Sequence, residues 1–121
     1  MNLGMPSVDW EVRLRDKCTC CYCGLSGIDD FDIWLNLGID HLIPSVSGGD
    51  ESADNKVVAC FECNCLKGKY VPKGNNREGR IEDARRYVKA SRSAWRERFE
   101  TMMDQIDKRK SCVTPTAPTA I

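Results

Sequence analysis

The chain has 121 residues, eight of them cysteine, and 18 acidic against 18 basic side chains, for a formal net charge of zero. A length of that order suits one small domain whose core needs a metal or disulfide staple. No run is apolar enough to span a membrane and MNLGMPSVDW lacks the pattern of a secretion signal, so the thiols are expected in the reducing cytoplasm, where metal is favoured over disulfide.

The zero net charge hides a separation along the chain. Gly24 to Asn55 holds seven acidic residues and no Lys or Arg, whereas Lys67 to Arg98 holds eleven basic residues against four acidic ones. One segment suits divalent cations and the other phosphate, or the two simply pair with each other.

In chain order, SVDWEVRLRD predicts a short helix over Ser7 to Asp16, with Ser7 as its cap and Trp10 and Leu14 at helical spacing. CTCCYCGLSG reads as a tight turn. FDIWLNLGID mixes helix and strand signals and leads a strand into Asp40 and His41, the single histidine. PSVSGGDESADN is a loop, KVVA a short strand, and CFECNCLKGK a helix ending at Gly68. From about residue 81 to 108, Ile81, Ala84, Val88, Ala94, Trp95, Phe99, Met102, Met103 and Ile106 form one stripe of a long amphipathic helix. That stripe should cover the core, and a helix of this length also offers a face for a homodimer. SCVTPTAPTAI, residues 111–121, has the composition of a disordered tail.

Cysteines separated by two residues occur at Cys18/Cys21, Cys20/Cys23 and Cys60/Cys63. Four thiolates close a tetrahedral zinc site, so two pairs are required. Cys20/Cys23 is the better first pair, because Gly24 follows and a knuckle turn needs a residue that tolerates positive φ there. Cys60 and Cys63 lie one helical turn apart, while Cys65 is about 160° around the helix from Cys63. Cys20, Cys23, Cys60 and Cys63 are therefore the expected ligands of a structural Zn²⁺, against the alternatives of free buried thiols or a redox pair.

With those residues placed, LRDKCTCCYCG, DHLIPSVSGGDESADNKVVAC and CNCLKGK together resemble the HNH endonuclease family in its zinc-stapled form, the ββα-metal or His-Me finger nucleases. The resemblance implies an α+β fold: a small zinc-bound core over residues 14–70, a short N-terminal helix and a long C-terminal one, within a nuclease domain of residues 1–110. It implies His41 as the general base, Asp40 and Asn64 as ligands of a catalytic Mg²⁺ or Mn²⁺, and Asn55 as the side chain that ties the loop and orients the histidine. Asn64 stands where many members carry a second histidine, which favours a hard, oxygen-preferring ion.

Phosphodiester hydrolysis needs an activated water and a counter-charge for the developing oxyanions. A histidine with an ordinary pKa of about 6.5 is neutral near pH 7.5 and can accept the proton. Lys67 is expected near the scissile phosphate and Lys69 among the DNA-binding residues, or else both as solvated helix-end charge. Arg85, Lys89, Arg92 and Arg96 form a basic stripe that fits the backbone of double-stranded DNA, with a solvated face as the bland alternative. Two further classes compete with a metal-dependent DNA endonuclease: an inactive zinc-stapled nucleic-acid-binding module, and a thiol redox protein drawing on the spare cysteines.

Overall fold

Val12, Leu42, Val57, Val58 and Ala59 are almost completely buried, and a two-stranded hairpin supplies three of them. The computed structural model of the chain describes residues 7–112. Strands β1 (Leu37–His41) and β2 (Lys56–Cys60) pair antiparallel, with Leu37 opposite Cys60 and His41 opposite Lys56. Every residue of β2 is buried, so the strand reads as a continuous apolar run rather than an alternating one.

Helix α1 (Ser7–Arg15) lies across the start of β2. Arg15 donates to the carbonyls of Ala53 and Lys56 at 2.8 and 2.5 Å, and Asp16 accepts from the Val58 amide at 2.9 Å. These charge-assisted bonds fix the angle of the helix on the sheet. Among the described side chains of α1 the buried one is Val12, whereas Trp10 and Leu14, whose spacing marked them as the packing face, are exposed. Arg13 instead covers the Trp34 ring at 5.5 Å.

The mixed signal in FDIWLNLGID resolves into both structures in turn. Asp30 caps a five-residue helix α2 (Phe31–Leu35) by accepting from the Ile33 amide, and β1 begins two residues later. After β2 the chain enters α3 (Phe61–Lys67) with no linker, and Gly68 ends it at φ 54°. The last helix, α4 (Arg77–Cys112), starts four residues earlier than its apolar pattern predicts, because Asn76 Oδ1 accepts from the Gly79 amide and caps it. It also takes in residues 111 and 112; the rest of the stretch read as a disordered tail lies outside the described residues.

The architecture is α+β: a two-stranded sheet with α3 against it, a short helix before and a long one after. The apolar stripe of α4 covers the core only over its first three turns. Ile81, Ala84 and Val88 are buried, but Trp95, Phe99, Met102, Met103 and Ile106 are exposed. Among the described residues no helix is long and apolar enough to cross a membrane.

The burial pattern separates core from decoration. Leu42→Ala should cost about 2–5 kcal/mol and Leu14→Ala under about 0.5 kcal/mol, in denaturant titrations of the metal-loaded protein.

Candidate metal centre and active site

The turn CTCCYCG folds back on itself through paired bonds between Cys20 and the Leu25 and Gly24 segment, and Gly24 takes φ 81° just past Cys23. It faces the end of β2, where the Cys60 sulfur caps α3 by accepting from the Cys63 amide. Together these elements bring the Sγ atoms of Cys20, Cys23, Cys60 and Cys63 within 4.8 Å of one another. Tetrahedral zinc with Zn–S of about 2.3 Å requires sulfurs about 3.8 Å apart. Cys23 Sγ and Cys60 Sγ lie at 3.8 Å, so the donor set fits one closed four-sulfur ion.

The thiols' acidity has the same reading. Burial pushes Cys23 up to about 11 and raises Cys63 as well. At Cys20 burial acts in the same direction but is outweighed by backbone N–H groups of Cys60, Cys23 and Tyr22, leaving it below its ordinary value. A cation entering the cluster must displace the remaining protons, so its affinity falls as the pH falls. Among the described residues the other thiols lie outside the cluster. Cys21 donates to Asp16 Oδ2 at 3.5 Å and is pushed up to about 12 by burial and by that carboxylate. Cys18 is half-buried and Cys65 exposed.

The opposite end of the hairpin, roughly 13 Å along the strands, carries His41. Its Nε2 lies 3.0 Å from Glu51 Oε1, and Glu51 Oε2 lies 3.1 Å from the ammonium of Lys56, the cross-strand neighbour of His41. Bonding from His41, and then from Lys56, holds the Glu51 carboxyl below its usual range. An ionised carboxylate only accepts, so Nε2 carries the proton, and in the neutral ring Nδ1 is left as the acceptor.

Asn55 closes the loop that delivers Glu51. Its Oδ1 accepts from the Ile43 amide at 2.9 Å, and its Nδ2 donates to the carbonyls of Ile43 and Asp50 at 3.0 and 2.9 Å. The loop crosses itself so closely at Gly49 that a Cβ there would overlap the Ile43 carbonyl. Any other residue would force the crossing apart.

Asp40 is buried. Its Oδ2 accepts from Tyr22 Oη at 2.6 Å and lies 3.1 Å from Lys67 Nζ, which also donates to the His41 carbonyl at 3.0 Å. Lys67 is 1% exposed, which corrects its expected place at the scissile phosphate: its ammonium turns inward to neutralise Asp40. Asn64, one turn before Lys67, is half-buried on the neighbouring part of α3. For a hard divalent ion, Asp40 Oδ1 and the Asn64 amide are donors of the right type. They suit an ion that keeps most of its water, although the ammonium competes for the same carboxylate.

The first three residues of the expected basic stripe sit beside the cysteine cluster. Arg85, Lys89 and Arg92 line a cleft of about 910 Å³ with Cys23, Cys60 and Cys63. Arg85 donates to the Cys21 carbonyl at 2.8 Å, Arg92 pairs with Glu62 at 2.7 Å and Arg96 with Glu100 at 3.4 Å, so three of the four already serve the fold or helix surface. Lys69 is exposed.

The HNH endonuclease model matches residues 20–73, just under half of the chain. Over that segment the chain is similar to the HNH endonucleases. The matched segment runs from the first cysteine of the cluster past the end of α3 and takes in His41, Asn55 and Asn64, so it contains both ends of the hairpin. No curated protein and no solved structure matches the chain.

Glu51, Lys56 and Tyr22 were not legible as site residues. An acid in a Gly- and Ser-rich loop looks solvated, and the only available signal was the cross-strand position of Lys56 once the hairpin register is known. The inward role of Lys67 is directly testable. Lys67→Met should cost about 3–5 kcal/mol by stranding a buried carboxylate, and Asp40→Asn in the same chain should restore much of it, whereas Lys69→Ala should leave stability unchanged.

Proposed function

We propose that the chain is a metal-dependent endonuclease that hydrolyses DNA phosphodiester bonds, with His41 as general base. The observation that carries this reading is the orientation of a single histidine by an ionised carboxylate, inside the segment that matches the HNH endonuclease family. With Nε2–H given to Glu51, Nδ1 accepts a proton from the attacking water. Asn55 positions both partners, since it anchors the strand end after His41 and the loop carbonyl just before Glu51.

Asp40 and Asn64 would hold a Mg²⁺ or Mn²⁺, which would supply counter-charge to the phosphate oxygens. Lys67 tempers the charge of Asp40 and holds the His41 carbonyl, so it keeps the strand end in register. The four-cysteine centre binds a structural Zn²⁺ and has no open position for substrate. Lys69 and Lys89 are the exposed cations assigned to backbone phosphates, a contact that supplies affinity without sequence information.

Supercoiled plasmid tests the proposal. The wild-type protein with Mg²⁺ or Mn²⁺ should convert it to nicked circle, and His41→Ala should lose about 10²–10⁴-fold in rate while retaining its zinc. Glu51→Ala should give a smaller, partial loss with unchanged DNA affinity. Wild-type protein that binds DNA, holds zinc and leaves the plasmid intact would instead be a nucleic-acid-binding module.

A further inference from the structure

Helix α4 is 36 residues long, roughly 54 Å, and only its first half has the rest of the domain beneath it. The side chains that pack on the core, Ile81, Ala84 and Val88, are followed after a seven-residue step, two helical turns, by Trp95, Phe99, Met102 and Ile106 on the same side of the helix. Those four and Met103 remain 37–58% exposed. Where the stripe leaves the domain, Trp95 and Phe99 form one wall of an open groove of about 430 Å³ whose other wall is Phe61, Cys65 and Leu66 of α3. Phe61 is itself 69% exposed.

We infer that this stripe is the interface of a homodimer, in which the C-terminal half of α4 pairs antiparallel with the same segment of a second copy. The occupant follows from the spacing. A two-fold axis through the helix between residues 100 and 101 sets Trp95 on the partner's Ile106 and Phe99 on the partner's Met102, and the same contacts recur with the copies exchanged. The 4-3-4 spacing of Trp95, Phe99, Met102 and Ile106 is that of a helix pair joined along one seam. The same axis brings the far end of the partner's helix to the groove beside Phe61, so that the groove and the stripe are filled by one event.

The area is sufficient. Six apolar side chains, about half exposed and each offering about 200 Å² when free, give on the order of 600 Å² per copy. Two copies then bury about 1,200 Å², the lower edge of stable interfaces. A solitary patch of that size on a monomer would be at the upper limit of what is common. At the rim of the groove Glu62 pairs with Arg92, opposite which the axis sets the partner's Arg109.

The consequence for chemistry is a particle with two copies of His41, one for each strand of a duplex. The pairing itself rests on the stripe and not on catalysis, so its test is separate from that of the proposed function. Sedimentation equilibrium of the full chain at micromolar concentration should give twice the 13.6 kDa chain mass. Phe99→Glu, and independently Met102→Glu, should weaken association on the order of 100-fold or more, each change acting twice across the axis. Zinc content and helical circular dichroism should be unchanged. Amide exchange over residues 95–106 should be slow in the dimer and become fast in either variant. A wild-type monomer at tens of micromolar would overturn the proposal, and slow exchange over 95–106 in that monomer would identify residues beyond 112 as the cover. A dimer that persists in both variants would overturn it as well, by placing the interface elsewhere.

Discussion

The four sulfur atoms of Cys20, Cys23, Cys60 and Cys63 join three pieces of chain that the hydrophobic core alone holds weakly. The core is small, and several of its members are the cysteines themselves. In a domain of this size an ion at that cluster contributes folding free energy directly. It fixes the knuckle against the end of β2 and sets the direction of α3, whose first turn begins at the Cys60 sulfur. Because α3 then runs back along the hairpin, its far end meets the far end of β1. Lys67 reaches Asp40 and the His41 carbonyl for that reason.

The histidine end of the hairpin is therefore a remote consequence of the cysteine end. Between the two, the sheet contributes register and little else: His41 opposes Lys56, and Glu51 bridges them. The loop that supplies Glu51 would be free to drift without Asn55, which bonds both strands of the crossing, and without the absence of a Cβ at Gly49. Several short-range devices thus converge on one imidazole. Buried Asp40 and Lys67 compensate each other's charge beneath it, so the site is polar inside without an uncompensated ion.

Much of this was written plainly in the chain. The cysteine ligands followed from pair spacing and from Gly24, whose φ of 81° is what the turn required. The two strands, α3 and the loop between the strands followed from local pattern, and Asn55 could be singled out by resemblance. What stayed hidden depends on long-range placement. Lys67 looks like helix-end charge until the hairpin supplies a buried carboxylate for it. Trp10 and Leu14 have helical spacing, but Val12 is the residue that β2 covers. The basic stripe of α4 could be read from spacing, but not that its first residues pass the cysteine cluster, where Arg85 donates to the Cys21 carbonyl, because periodicity along a helix does not reveal which part of the fold it packs against.

The dependence of the histidine on the distant metal centre is the central claim, and the single histidine makes it measurable. Nitrogen-15 spectra of the imidazole, recorded while zinc is added to chelator-treated protein under reducing conditions, would follow His41 directly. The account predicts averaged ring signals without metal and, at one equivalent of zinc, a single tautomer protonated at Nε2. A ring already fixed in that tautomer before zinc is added, or one still averaged after the cluster is filled, would contradict it.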